Sequence, residues 1–477
     1  MQSRHTNRIA QFVAATCYED IPERVLHSTK RLILDTLGNA IAGSSTAASK
    51  RALKTVAELG GVPRSTTLVT GHRTSPTNAV FSNVTLAATL EADDCCLHLG
   101  HHGHVSIFPS LALCEQRQLP GRIFLASCAV AYEASARIAS AGRHVVRTSD
   151  GALSSNPSGG GVNWAIFAAA FSAARSIGLN PVQVKNVMGL AGFNASIPTA
   201  SRWNRPPFNN LKYNPYAFLG QSGTLSALLA ENGFTGDDAI LDIEGKVAND
   251  WWHMAGIIGA DPASAFATLG DEWISLKTSF KPYPGCRFTQ GPATLFEALL
   301  REKSIRAADI EHVDIYTDST IFHYKMDSSR VECEEDAQFS VPHVMSMVAL
   351  GIKPGADWVA PRYWNDSAVE SMKSKMMCHR YDTADTATME QLLEGRWERY
   401  PHKIVVRARG DSFERQADYV LGDPHTSETC LSDERLFEKF RNFTAQGISA
   451  NQAERCIDTV MSVDRLNELS PLVACVS

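Results

Sequence analysis

FSNVTLAATLEADDCCLHLGHHGHVSIFPSLAL, residues 81–113, sets two apolar, Ala-rich runs on either side of a segment crowded with reactive side chains. Between Glu91 and Pro109 lie three carboxylates, two thiols and four imidazoles (His98, His101, His102 and His104), and Gly100 and Gly103 favour a loop there. The flanking runs, residues 76–90 and 106–118, predict two core helices. Titratable groups clamped between buried helices are where acids and bases acquire shifted pKa values, so the stretch reads as one wall of an active site. Composition leaves three readings open. Histidine, cysteine and carboxylate are all metal ligands, although the spacing matches no closed zinc motif and no HExxH occurs. One imidazole and one carboxylate suffice for acid–base catalysis. A polar, solvated loop whose charges cap helices is the third reading.

Outward from that stretch the first half reads almost wholly as α. Helices are expected over 8–42 (two, the second with Ser28 as cap and Gly43 as stop), 48–60, 122–141, 162–178, 181–193 and 217–231, with STTLVTG (65–71) a short strand or extended loop. The small-residue runs at 122–141 and 162–178 suit closely packed core helices. The pattern changes near residue 277, where KTSFKPYPGCRFTQG carries two prolines and two glycines. A helix at 291–303, a strand at 311–317, a helix at 337–351 and a hairpin at 403–419 around Gly410-Asp411 then predict a mixed α/β unit. The expected architecture is thus mostly α with a smaller α+β part: an all-helical domain over 1–276, completed by 426–477, and an α/β domain over 277–425.

A chain of 477 residues with a net charge of -6 has ample material for a large core and no basic, aromatic-interleaved cluster of the kind that binds nucleic acid. No apolar run reaches the roughly 18–20 residues that span a bilayer. The eleven cysteines are scattered and odd in number, which suits a reducing, cytoplasmic setting. MQSRHTNRIAQFVAATCYED lacks the long apolar core of a secretory signal, and its arginines and amphipathic start leave a mitochondrial reading open.

Two further segments can carry chemistry. Lys212, in NNLKYNPYAFLGQSG, is a snorkelling surface lysine, a holder of a carboxylate, or a base if burial lowers its pKa. Lys281, Tyr283 and Arg287, in FKPYPGCRFTQG, form a stiff anion clamp or simply tie two domains together. NPSGGGVNW (156–164) lacks both GxGxxG and GxxxxGK[ST], so no nucleotide site is read there, and GQSG (220–223) is not the GxSxG elbow.

Together, in this order, LILDTLGNAIAG, EADD…HHGHVSIFP, FAAAFSAARSIGL, LKYNPYAFLGQSG, FKPYPGCRF and AQFS resemble the MmgE/PrpD family. That family includes 2-methylcitrate dehydratase, cis-aconitate decarboxylase and iminodisuccinate epimerase. The resemblance covers nearly the whole chain. It implies a large all-helical domain with an α/β lid, a homodimer, and lyase or isomerase chemistry on small di- or tricarboxylates with no cofactor and no metal. It assigns Glu91, Asp94, His102 and Lys212 to catalysis, with His102 taken over His104 by counting back from Pro109. Lys281, Tyr283, Arg287, Tyr324, Tyr216, Cys95 and Gln290 become substrate contacts. This chain departs from the pattern at Asn156 or Gly159 and at Gln290, where relatives carry histidines, and at Cys95, where a Thr or Tyr is common. The function expected is dehydration of 2-methylcitrate or an alkylcitrate. Decarboxylation of a cis-aconitate-like acid, epimerisation or isomerisation, and carboxylate binding without turnover follow in that order.

Overall fold

The computed structural model describes residues 4–97, 99–148, 150–155, 163–195, 206, 208–243, 250–257 and 259–477. His98, Asn156 and Gly159 lie outside the described residues. As far as Glu231 the described residues of the body form nine α-helices: α1 (His5–Ala15), α2 (Glu23–Gly43), α3 (Ala47–Leu59), α4 (Pro76–Ala88), α5 (Gly103–Arg117), α6 (Gly121–Ala141), α7 (Ala165–Ser176), α8 (Pro181–Phe193) and α9 (Asn214–Glu231). Helix α7 packs centrally against α5, α6 and α9. Gly223 of α9 permits that approach, since a Cβ there would meet the Ile166 carbonyl oxygen at 2.6 Å.

Two local details depart from the expected boundaries. Helix α2 starts directly after Pro22, so Ser28 lies inside it and not at its cap. Gly43 presses on α4, where a Cβ would stand 2.0 Å from the Leu86 carbonyl oxygen, so it is a packing glycine as well as the end of α2. Helix α5 starts three residues earlier than the apolar pattern suggests and contains Pro109, which supplies no backbone donor. Ser172 of α7 mends the irregularity: its hydroxyl accepts the Ser110 N–H (3.1 Å) and donates to the Ser106 carbonyl (2.5 Å).

The second unit holds α10 (Arg287–Glu302), β1 (Ile310–Thr317), a short helix Glu334–Phe339, α11 (Val341–Ala349), β2 (Met376–Arg380), α12 (Asp382–Leu393), β3 (His402–Ala408) and β4 (Asp411–Ala417). The sheet runs β2-β1-β3-β4, with β1 and β2 parallel and the other pairs antiparallel. The β3–β4 hairpin turns at Arg409 and Gly410, both at positive φ (59° and 79°), as a tight two-residue turn requires. The helix expected over 337–351 is split at Ser340, which ends one helix and caps the next by accepting the His343 N–H (3.1 Å). Strand β2 carries no alternating apolar pattern, because it is an edge strand with neither face deeply buried.

Helices α13 (Asp433–Thr444) and α14 (Ala450–Met461) return to α2. Leu436, Phe440, Cys456 and Ile457 join the large core that begins at Ile9, whereas residues from Cys286 to Ala408 form a core of their own around Phe296, Val313 and Ile404. A large helical domain with a small α/β domain is therefore the architecture of this chain.

Candidate active site

The turn between α4 and α5 carries its carboxylates inward. Glu91 has φ +54°, a left-handed conformation that costs a non-glycine residue roughly 1–2 kcal/mol. Lys212, on a 3₁₀ turn before α9, stands with Nζ 2.5 Å from Glu91 Oε1. Lys281, on the segment joining the two cores, stands with Nζ 3.0 Å from Asp93 Oδ1 and 3.7 Å from Glu91 Oε2, and donates to the Glu91 carbonyl at 2.6 Å. All four side chains are buried. Phe339, from the short helix Glu334–Phe339, lies 4.8 Å from Lys212 Nζ, and its neighbour Gln338 accepts from Tyr213 (2.8 Å) and donates to the Thr89 carbonyl (2.7 Å). The cluster thus sits at the seam between the helical body and the α/β unit.

Two imidazoles meet Asp93 on its other oxygen. His101 Nδ1 is 3.2 Å from Asp93 Oδ2 and 2.5 Å from the Asp94 carbonyl oxygen, while its Nε2 makes no hydrogen bond among the described residues. His104, fully buried at the start of α5, has Nδ1 3.6 Å from the same oxygen, and neither ring nitrogen is hydrogen-bonded among the described residues. Tyr216 of α9 meets both rings edge-on, with centroids 5.9 and 4.7 Å away.

The charges follow from these contacts. Burial pushes the Glu91 and Asp93 carboxyls up, but the ammoniums beside Glu91, and His101 and Lys281 beside Asp93, outweigh it and leave both ionised, Asp93 well below the usual range. Burial pulls Lys281 and His101 down, yet Asp93 outweighs it and holds both above their ordinary values. His104 lacks so close a partner, and burial takes it down to about 4. The site therefore offers two ammoniums, one imidazole that keeps its proton and one that does not.

Asp94 and His102 border this cluster, but other partners hold them. Asp94 accepts the Gly103 N–H (3.0 Å), the His102 N–H (3.4 Å) and the Tyr132 hydroxyl (3.0 Å), so it caps α5. A Cβ on Gly103 would come within 2.3 Å of Asp94 Oδ1, which is why that position needs glycine. His102 has Nδ1 2.5 Å from Ser135 Oγ and Nε2 3.0 Å from the Leu99 carbonyl oxygen. Both its nitrogens are occupied by the protein, and burial takes the ring down to about 3.

Burial and the charge on Asp93 push the Asp94 carboxyl up to about 6. A raised acid pKa is a contribution to stability that is full below the unfolded value, near 3.8, and is lost as pH rises through the folded one. Between about pH 4 and pH 7 the wild type should therefore lose up to about 3 kcal/mol relative to Asp94→Asn in urea unfolding. A difference independent of pH would contradict the assignment.

The remaining candidates are dispersed. Cys95 is buried with its backbone paired to Ser279, and burial pushes its thiol up to about 12, which makes it a poor nucleophile. Arg287 holds Asp423 (Nη2 to Oδ1, 2.5 Å). Tyr283 stacks on Trp358 (5.4 Å, 8°) and donates to Glu297 (2.8 Å), so its phenol is directed away from the cluster. Gln290 donates to the carbonyls of Tyr283, Gly285 and Cys286 and accepts the Tyr283 N–H, so it pins the loop that carries Lys281. Tyr324 ends the short helix Thr320–His323, half-buried against the core of the α/β unit.

Asp93, His101 and His104 complete the cluster without having been assigned a role from the sequence. No local pattern in the sequence separates Asp93 and His101 from Asp94 and His102; the N–H groups of α5 claim Asp94, and Ser135 and the Leu99 carbonyl claim His102. Asp93, Asp94 and His104 offer donor atoms within 4.8 Å of one another. As a metal set they fit poorly, because Asp93 is already held by an ammonium and Asp94 by backbone N–H groups.

Residues 7–249 match the family model of the MmgE/PrpD N-terminal domain, and residues 283–465 that of the MmgE/PrpD C-terminal domain. The chain is similar to the cis-aconitate decarboxylase-like protein oryM of Aspergillus oryzae, 22% identical over 99% of this chain and 97% of that one. It is also similar to a cis-aconitate decarboxylase of Aspergillus terreus, 20% identical over 98% and 95% of the two chains. With both of its units matched in sequence order, the chain belongs to the MmgE/PrpD family.

Proposed function

We propose that the protein is a lyase that removes CO2 from a small unsaturated tricarboxylate of the cis-aconitate kind. The observation that carries this reading is His101, an imidazole of raised pKa set on Asp93, beside the ammoniums of Lys212 and Lys281. The ammoniums hold the retained carboxylates. As the bond to the departing carboxylate breaks, its electron pair passes into the alkene conjugated with a retained carboxylate, and Lys212 and Lys281 stabilise that charge. His101 then gives its Nε2 proton to carbon and takes one back from solvent. Only one proton carrier is needed, which suits a site whose other imidazole, His104, is held neutral.

Dehydration of 2-methylcitrate or a longer alkylcitrate is the second reading. It requires a base as well as an acid, and neutral His104 beside protonated His101 supplies such a pair. Both readings take place without a metal, so turnover should survive a chelator. They also go with a homodimer, which would cover Phe218 and Leu225, exposed and one heptad apart on α9. A native mass equal to a single chain would count against the dimer.

The deciding experiment incubates the purified protein with cis-aconitate, citrate, 2-methylcitrate and a longer alkylcitrate and follows the products by mass. Loss of CO2 from cis-aconitate is expected. Loss of water from a citrate would promote the second reading. Products of unchanged mass but altered configuration would move the protein to the isomerases, and thermal stabilisation by an acid with no product would make it a binding protein.

A further inference from the structure

The main-chain carbonyl of Ala92 lies between Glu91 and Asp93, and two buried side chains grip it from behind. Lys439 Nζ, on α13, donates to it at 2.8 Å, and Asn39 Nδ2, on α2, at 3.1 Å. Both donors are tied to Asp35, one turn before Asn39: Lys439 Nζ is 2.6 Å from Asp35 Oδ1, and Asn39 Nδ2 is 3.1 Å from Asp35 Oδ2. Asp35 and Asn39 are 3% and 0% exposed, Lys439 is 8% exposed, and the Phe443 ring lies 4.9 Å from the ammonium. An ion pair buried this deeply gains little over well-packed apolar side chains, so stability alone is a weak account of it.

We infer that Lys439 is a positioning residue for the site, acting through the Ala92 carbonyl; the inference rests on the lyase reading. That carbonyl belongs to the peptide joining Ala92 to Asp93. Turning this peptide changes ψ of Ala92 and φ of Asp93, and so swings the Asp93 side chain away from Lys281 and His101. A productive constellation tolerates roughly 10–20° of such motion. Lys439 and Asn39 together hold the peptide by its oxygen, and helix α13 thereby becomes part of the active-site support.

Lys439→Met alone would strand the Asp35 charge, so the test uses two double variants. Neither Asp35→Asn/Lys439→Met nor Asp35→Asn/Lys439→Gln buries a charge, and only the second keeps an N–H donor at position 439. On the acid that the wild type turns over, the Met pair should lose kcat roughly 100-fold with KM within roughly threefold, and the Gln pair should stay within roughly tenfold of wild-type kcat, at matched melting temperatures. Amide hydrogen exchange over residues 91–96 should quicken in the Met pair and not in the Gln pair, a comparison that needs no turnover. Wild-type kcat with protected amides in the Met pair, or equal losses in both pairs, overturns the inference. A wild type that turns over none of the acids sinks the lyase reading alone, and the exchange comparison then decides the role of Lys439 by itself.

Discussion

Lys212→Met should lower kcat/KM by roughly 10³-fold or more while the protein keeps its fold. The reason lies in how the two ammoniums share the two carboxylates. Lys212 pairs with Glu91, and Lys281 Nζ stands 3.7 Å from the other Glu91 oxygen, so Glu91 keeps a cation when Lys212 is lost. What disappears is the charge that would meet the substrate carboxylate and the electron density developing on it. Lys281→Met is a poorer test of chemistry: it leaves Asp93 to His101 and weakens the hold on Glu91 together, and breaking buried pairs of this kind costs about 3–5 kcal/mol. Thermal melts alongside kinetics separate the two cases. If Lys212→Met turned over its substrate at close to the wild-type rate, the site would have to lie elsewhere.

Much of this site is legible in the chain. The helices flanking residues 91–102 follow from apolar periodicity, and Glu91, Lys212 and Lys281 follow from motifs that the structure joins, with each ammonium within 4 Å of the Glu91 carboxylate. What the chain conceals is which of two identical neighbours faces the lysines. Asp93 and Asp94 are both buried, as are His102 and His104, and composition treats them alike. The choice is made by φ +54° at Glu91 and φ +96° at Gly100, which set the direction of the turn, and by the N–H groups of α5, which claim Asp94. Counting back from Pro109 reaches His102, a ring spent on Ser135 and Leu99. Gln290 is visible in sequence as a missing imidazole, but its service to the carbonyls of Tyr283, Gly285 and Cys286 depends on a loop whose path no local pattern gives.

The second large effect separates those neighbouring histidines. His101→Gln should cost roughly 10²–10⁴-fold in kcat, the usual worth of a positioned proton donor. His102→Gln should leave the chemistry nearly intact and instead lower stability by about 1–3 kcal/mol, because Ser135 and the Leu99 carbonyl lose a buried partner. The pH profile then tests the role itself. Asp93 outweighs burial and holds His101 above its ordinary value of 6.5, so the acid form persists past that pH and activity falls only as pH rises through the raised value. Asp93→Asn removes the cause of the shift and should move that falling limb to lower pH, with Lys281 still paired to Glu91. A profile that rises with pH instead would mean that the imidazole works as a base. The reaction would then be one that begins by taking a proton from carbon, and dehydration would displace decarboxylation as the chemistry of this site.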